Sequence, residues 1–261
     1  MNPLFWLQNA TRNAFRRSWF GRTLLTAVGS SPLRRVHIVS ATRLSEDDFW
    51  HQSALGQSLK PWLSDPMISA DIKYKNNVGL PTIYNEKLQL SCSSDILVFV
   101  HDDVWLDDAQ WVAKLQVALQ RYDIVGVVGN KRISPQQPAW PFSKLEGERF
   151  TWDTEFLSGS IAHGIHPNGD TSVYGSTPAE CRLLDGVFLA VRQSVVNRSR
   201  LRFDGRFSFH FYDMDFCRNA KRLGLSLGTW PIKLTHQSGG SFRLNPDWQA
   251  GRTKYFLKWK S

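Results

Sequence analysis

Apolar positions in this chain fall into short runs separated by polar stretches, and the spacing of the runs predicts the elements. Arg35 to Ser40 (RVHIVS) reads as a first strand. Ser45 is placed to cap a helix, with Asp48 three residues on as a capping-box variant, and that helix is expected to reach about Leu59. Pro61 and Pro66 break the chain. Ile68 to Tyr74 reads as a second strand. After the loop Asn76-Asn77-Val78-Gly79, Pro81 suits the first turn of a helix that ends near Cys92. Ile96 to Val100 is an unbroken apolar run rich in β-formers, the pattern of a strand buried on both faces. Trp111, Val112, Leu115, Ala118 and Leu119 form a helical stripe, and Ile124 to Val128 is another short strand. The order β-α-β-α-β-α-β implies a largely parallel sheet with helices on both faces.

Beyond this point the pattern changes. Lys131 to Arg182 is rich in Pro, Gly and Ser with weak periodicity, as long binding loops often are, and His163 and His166 read as loop histidines. Leu183 to Arg192 (LLDGVFLAVR) reads as one buried strand interrupted at Asp185-Gly186, where the glycine marks either close approach of a ligand or a β-bulge. Asp213 and Asp215 open a helix that Gly224 ends, with Arg218, Lys221 and Arg222 toward its other end, as the helix dipole favours. Leu225 to Thr235 supplies one or two strands, and His236 follows directly. The remainder reads as a basic, aromatic tail.

The chain has 261 residues, 42% of them hydrophobic, enough for one large α/β domain or two small ones. Its net charge of +9 points to polyanionic partners such as nucleotides, nucleic acid or anionic lipid. That charge is uneven: residues 1–35 hold six arginines (Arg12, Arg16, Arg17, Arg22, Arg34, Arg35) and no acid, so six of the nine sit there and +3 remains for the rest. In residues 1–30 the arginines alternate with aromatics, and Leu4, Leu7, Thr11, Phe15 and Trp19 share a helical stripe. Such a segment can lie on an anionic membrane, pack on the domain or serve as a transit peptide. No apolar run approaches the roughly 18 residues of a membrane span. No signal peptide is evident. The three cysteines, Cys92, Cys181 and Cys217, are widely spaced without a CxxC, which argues against a disulfide framework or a zinc site and fits a reducing compartment.

The chemistry centres on His101-Asp102-Asp103, which follow the apolar run. Adjacent carboxylates at the end of a buried strand repel each other and resist desolvation. Either a cation neutralises them or they begin a solvated loop. Ligands of open α/β sheets sit at the carboxyl ends of the strands, and carboxylates suit Mg²⁺ or Mn²⁺ together with substrate phosphates.

Taken in order, these motifs resemble those of family 2-like glycosyltransferases with a GT-A fold, over roughly Arg35 to Phe242. VHIVS is similar to the strand that starts the nucleotide site, Asn77-x-Gly79 with Asn85 to the Asn/Gly segment, and LVFVHDDV to the DXD strand. LLDGVFLAVR resembles the acceptor-side strand, FYDMDFCRNAKRLG the helix that carries the catalytic base, and LTHQSGGS the His-containing strand end. The resemblance implies an α/β fold of GT-A type with a mostly parallel central sheet. It implies a nucleotide-sugar half at 35–130 and an acceptor half at 131–242, flanked by a basic arm at 1–34 and a tail at 243–261. It implies donor contacts from Ser40, Thr42, Arg43, Asn77, Asn85, Asp102 and Gly186, Mn²⁺ or Mg²⁺ on Asp103 with Asp102 and His236, and Asp213 as general base. Two positions depart from the family's pattern. His101 stands first in the DXD triplet, which makes Asp103 the firmer ligand, and Tyr212 replaces the Glu before the base.

The implied activity is inverting transfer of a sugar from a nucleotide sugar to a glycan or lipid-linked hydroxyl, as in polysaccharide biosynthesis. The expected setting is cytoplasmic, peripheral on the inner face of a membrane. Metal-dependent phosphoryl transfer or nuclease activity is the rival, and a basic nucleic-acid-binding protein a third reading. Against the third, the bases cluster in the arm while the core carries paired acids that repel phosphate without a metal. Nucleic acid is therefore not an expected partner. Asp215 has Arg218, Asn219 and Arg222 within reach along one helix face, which suits a structural acid and leaves Asp213 for the cleft.

Overall fold

The structure, a computed structural model, describes residues 34–90, 95–238 and 244–260. The arm expected at 1–34, with its membrane reading, lies outside them apart from Arg34, as does Cys92. The first three strands, β1 (Val36–Ala41), β2 (Ile68–Lys73) and β3 (Ile96–Val100), pair in parallel in the order β2-β1-β3. All five residues of β3 are buried. Each side chain of that size contributes about 1.5–3 kcal/mol when fully buried, enough for this strand to anchor charged residues at its end.

Between β1 and β2 the expected single helix is two, α1 (Glu46–Gln52) and α2 (Ala54–Leu59), followed by a 3₁₀ turn. Ser45 caps α1 as expected: its Oγ accepts from Asp48 N at 3.2 Å and donates to Asp48 Oδ2 at 2.6 Å. The break comes from Ser53, whose Oγ donates to Phe49 O and accepts from Gly56 N, so it ends one helix and caps the next. Helix α3 (Leu80–Leu90) carries Pro81 in its first turn.

From β3 onward the chain repeatedly passes from one sheet to another. After β4 (Val104–Leu106) and α4 (Trp111–Arg121), the expected strand 124–128 divides into β5 (Ile124–Gly126) and β6 (Val128–Asn130). Residues 131–182, expected as long loops, hold β7 (Phe142–Glu146), β8 (Arg149–Trp152), β9 (Leu157–His163), β10 (Asp170–Gly175) and β11 (Ala179–Cys181). β10 exposes polar residues on both sides, β7 carries a register shift between Phe142 and Lys144, and β8 is only four residues long, so the alternation that marks a half-buried strand is weak here. The expected strand 183–192 also divides, into β12 (Leu183–Leu184) and β13 (Phe188–Arg192). Then come α5 (Gln193–Ser199), α6 (Tyr212–Arg222), β14 (Leu227–Thr229), β15 (Leu234–His236) and α7 (Pro246–Lys258).

The larger sheet has seven strands in the order β11-β14-β5-β13-β3-β1-β2. Strands β2, β1, β3, β5 and β14 run one way, and β13 and β11 the other. The expected α/β class holds, with β13 inserted antiparallel in the middle of the sheet. The second sheet runs β12-β6-β9-β15-β4, with β10 paired to β9, and β7 and β8 form a separate hairpin. Where β9 meets the β5–β6 crossing, Gly159 has φ +93°, and a Cβ there would lie 1.9 Å from Val127 O, so no larger residue fits.

The segment after 242 is not a tail outside the fold. Asn245 caps α7 by accepting from Trp248 N, and Trp248, Tyr255 and Trp259 are buried in the main core. Helix α7 also completes the surroundings of Asp215, which has no solvent exposure. Asp215 accepts from Trp259 Nε1 at 2.8 Å and Asn219 Nδ2 at 3.0 Å and pairs with Lys258 Nζ at 2.6 Å. Arg218 and Arg222, expected as its partners, lie instead over the Trp259 ring at 4.4 and 4.1 Å. No helix among the described residues is long and apolar enough to cross a membrane. Lys258→Met should therefore strand a buried carboxylate and cost about 3–5 kcal/mol in urea denaturation, with Asp215→Asn added to it recovering part of the loss. Equal midpoints for wild type and Lys258→Met would show that α7 is not anchored through this pair.

Candidate functional site

The junction of the two large sheets concentrates the chemistry. β3 leads through His101-Asp102-Asp103 straight into β4, and β12 leads through Asp185-Gly186-Val187 into β13. The crossings are tied together by backbone bonds: His101 N donates to Val187 O, Asp185 N to Val128 O and Gln237 N to Asp103 O. A cavity of about 210 Å³ opens there. Its walls carry His101, Asp102 and Asp103 from the β3 crossing, Asp185 and Gly186 from the β12 crossing, Asp213 from α6, and His236 from β15.

His101, Asp103 and His236 form a group whose ligand atoms all lie within 4.8 Å of one another. His236 Nε2 is 3.2 Å from Asp103 Oδ2 and 3.0 Å from Ser238 Oγ. Burial pushes the Asp103 carboxyl up, but the hydrogen bond and charge of His236 outweigh it and hold Asp103 well below the usual carboxylate range. Burial pulls His236 down, and the same Asp103 contact raises it above its ordinary value. Burial dominates at His101 and lowers it. The Tyr212 hydroxyl donates to Gly186 O at 3.0 Å, so its oxygen accepts from His101 Nε2 at 2.8 Å. That assignment fixes the ring and leaves the lone pair on Nδ1. Two imidazoles and a carboxylate are a donor set suited to a divalent transition metal, Mn²⁺ more than Mg²⁺.

Asp102 stands outside this group. Burial raises its carboxyl, opposed by a hydrogen bond from Thr42. Thr42 is buried, and its Oγ1 also accepts from Leu44 N at 3.1 Å. Of the other expected donor contacts, Gly186 lines the cavity, whereas Ser40, Arg43, Asn77 and Asn85 do not. Ser40 is fully buried in β1, and Arg43 and Asn77 are exposed beside the strand ends. Asn85 departs from its expected role: its Nδ2 donates to Phe203 O and its Oδ1 accepts from Phe203 N, so both ends of the amide clamp a distant loop. A short polar motif on a helix does not reveal whether its amide faces a ligand or a neighbouring backbone.

Asp213 lies at the cavity wall, opposite in its helix to the buried Asp215. Its carboxylate accepts from Gly186 N at 3.0 Å and Met214 N at 2.8 Å. Burial, and then the charge of Asp185, push it up to about 7. Asp185 therefore supplies, from another element, the carboxylate neighbour that Tyr212 displaces from the helix. Sequence reasoning singled out Gly186 and passed over Asp185, the residue before it. Asp185 itself accepts from Val187 N at 2.8 Å and from Trp140 Nε1 at 2.5 Å. Gly186 is obligatory, since a Cβ there would lie 2.2 Å from Tyr212 Oη.

The backbone aims this helix under strain. Phe211, the residue before α6, has φ 66° and ψ 0°, a left-handed conformation for a bulky residue. Such a residue costs of order 1–3 kcal/mol. Its ring is held by Trp248 and Tyr255 of α7 at centroid distances of 5.4 and 5.3 Å.

A family model described as "Glycosyltransferase like family" matches residues 71–237, and the chain belongs to that glycosyltransferase-like family. A search of curated proteins found no match. Among solved structures, the chain is similar to GalNAc-T7 with UDP, GalNAc and Mn²⁺, at 8% identity and TM-score 0.46, over 80% of this chain and 44% of that one. It therefore spans less than half the length of that protein. It is also similar to the mannosyltransferase PcManGT from Pyrobaculum calidifontis in complex with GDP-Man and Mn²⁺, at 11% identity and TM-score 0.45, over 92% and 68% of the two chains. A197 from STIV aligns at 11% identity and TM-score 0.43, over 81% and 98%.

Isothermal titration with Mn²⁺ should show one site in wild type, lost in Asp103→Asn and His236→Ala and kept in Asp102→Asn. Tyr212→Phe removes the group that orients His101 and should weaken Mn²⁺ affinity by roughly 10- to 100-fold. Full Mn²⁺ binding by Asp103→Asn would remove the carboxylate from the site.

Proposed function

We propose that the protein transfers a sugar from a nucleotide-sugar donor to an acceptor hydroxyl, on a GT-A type scaffold, by a single displacement that inverts the anomeric centre. The observation that carries this reading is the position of Asp213 and the His101–Asp103–His236 group on the walls of one cavity. Family membership supports the reaction class, and the cavity chemistry supports the roles.

A divalent cation bound by His101, Asp103 and His236 would supply charge neutralisation for a diphosphate leaving group. Asp102, on the Thr42 side, faces the end of β1 where the nucleoside is expected. Asp213 accepts the proton of the acceptor hydroxyl while the hydroxyl oxygen bonds to the anomeric carbon. The bond from that carbon to the diphosphate breaks, and its electron pair leaves with the nucleotide. The N–H groups of Gly186 and Met214 hold the Asp213 carboxylate in place, while burial and the Asp185 charge raise its basicity toward neutrality, where a general base is most effective. The acceptor is a glycan or a lipid-linked sugar, and the setting is the cytoplasmic face of a membrane.

Thermal-shift assays with UDP-, GDP- and dTDP-linked sugars, with and without Mn²⁺, test the reading beside a DNA oligonucleotide. Stabilisation by a nucleotide sugar that requires Mn²⁺ is expected. Metal-independent, salt-sensitive stabilisation by DNA would overturn it in favour of a nucleic-acid binder.

The base assignment predicts a pH profile. Asp213 acts in its deprotonated form, so kcat/KM should fall about tenfold per unit as pH drops below about 7 and level off above it. Asp213→Asn should lower turnover by roughly 10²–10⁴-fold, abolish this acid limb and leave donor affinity unchanged. An unchanged acid limb in Asp213→Asn would move the base elsewhere.

A further inference from the structure

A series of aromatic rings runs from the cavity to the surface. Trp140 and Trp248 line the cavity. Trp140 meets Tyr174 of β10 edge-on at 5.3 Å, and Tyr174 stacks on Trp152 of β8 at 6.1 Å with an interplanar angle of 23°. From the other side, Trp248 meets Phe150 at 6.0 Å, Phe150 meets Phe142 at 4.7 Å, and Phe142 meets Trp152 at 4.7 Å. Both branches therefore end on the same indole. Trp152 is 49% exposed although it is the residue on which the two branches converge. Of the aromatics of the β7–β8 hairpin, Phe142 is buried in the core and Phe150 packs against it, whereas Trp152 belongs to neither group, so core packing does not account for Trp152.

We propose that this surface binds the non-reacting sugars of an extended glycan acceptor, with Trp152 as the stacking platform. The proposal rests on the glycosyl-transfer reading, since it supplies the acceptor for that site. The flat, partly apolar face of a pyranose matches an aromatic ring, and its hydroxyl edge requires polar neighbours. Exposed polar residues flank Trp152 along the chain: Thr151, Thr154 and Glu155. A lipid tail would leave these polar groups desolvated and unpaired, which disfavours it. The two ring contacts, 5.3 and 6.1 Å between centroids, keep Trp152 only two rings away from Trp140 at the cavity wall, so an oligosaccharide that reaches Trp152 can keep its terminal sugar in the cavity. The aromatic path is tied to the reacting groups, because the buried Trp140 donates from Nε1 to Asp185, whose charge acts on Asp213.

The test uses the full-length chain on an array of natural oligosaccharides, with each hit followed by titration of oligomers of increasing length. Wild type should bind at least one glycan class, more tightly as the chain lengthens. Trp152→Ala should lose roughly tenfold for the long oligomers and little for the monosaccharide, and Trp152→Phe should recover most of the loss. Thermal shift with nucleotide sugar and Mn²⁺, run on the same variants, should be unchanged, so failure of the donor reading and failure of this surface are read separately. Absence of any glycan bound by wild type, or equal length dependence in wild type and Trp152→Ala, would overturn the proposal. So would a Trp152→Ala defect confined to binding of phosphatidylserine vesicles, which would make the patch a lipid surface.

Discussion

Everything in the site depends on one constraint: a fully buried strand has to end in charge at the seam between two sheets. The five apolar residues of β3 are fixed in register by β1 on one side and β13 on the other. The next three residues, His101, Asp102 and Asp103, are held half-buried at the cavity, because the chain enters β4 of the second sheet immediately afterwards. Hydrophobic burial on both sides of the turn thus holds two carboxylates in a partly desolvated position. The same device is used at Asp185-Gly186-Val187 between β12 and β13. Acidic groups from separate parts of the sequence are thereby concentrated around one cavity.

The three aspartates of the two crossings, with Asp213 beside them, would repel one another strongly in a low-dielectric pocket. The structure divides that problem. Asp103 is compensated by His236, Asp102 by Thr42, Asp185 by Trp140 and the Val187 amide, and Asp213 by the amides of Gly186 and Met214. Only the first of these compensations comes from a basic side chain. The consequence is a functional division: a low-lying carboxylate with two imidazoles on one wall, and a carboxyl raised toward neutrality on the other. Environments that push like groups apart let one pocket hold carboxyls of different acidity, as the proposed metal-ligand and base roles require.

Helix α7 extends this logic to the edge of the fold. Its Lys258 and Trp259 satisfy Asp215 on the inner face of α6, while Trp248 and Tyr255 hold the strained Phe211 that begins α6. Both contacts set the rotation of α6, and that rotation decides which of its two aspartates meets the cavity. Helix α7 therefore fixes the direction of Asp213 through packing and one buried ion pair.

Local pattern in the sequence determined the early strands, the Ser45 cap, the helix stripe at 111–119 and the buried character of β3, because each depends on neighbours within a few residues. The helical offset of Asp213 from Asp215 was legible for the same reason. Sheet membership was not. The runs 124–128 and 183–192 look continuous in sequence, and only tertiary pairing shows that each crosses between sheets at Val127 and at Asp185-Gly186-Val187. The hairpin at 142–152 was hidden because β7 carries a register shift between Phe142 and Lys144 and β8 is only four residues long, too short for a period to show. Partners brought from a distance were equally invisible: Asp185 beside Asp213, Lys258 on Asp215, Phe203 on Asn85, and Tyr212 orienting His101. The residue types capable of the chemistry are written in the chain. Which of them meet is decided by the burial of apolar strands far apart in sequence, because that burial alone has the free energy to force charged groups together.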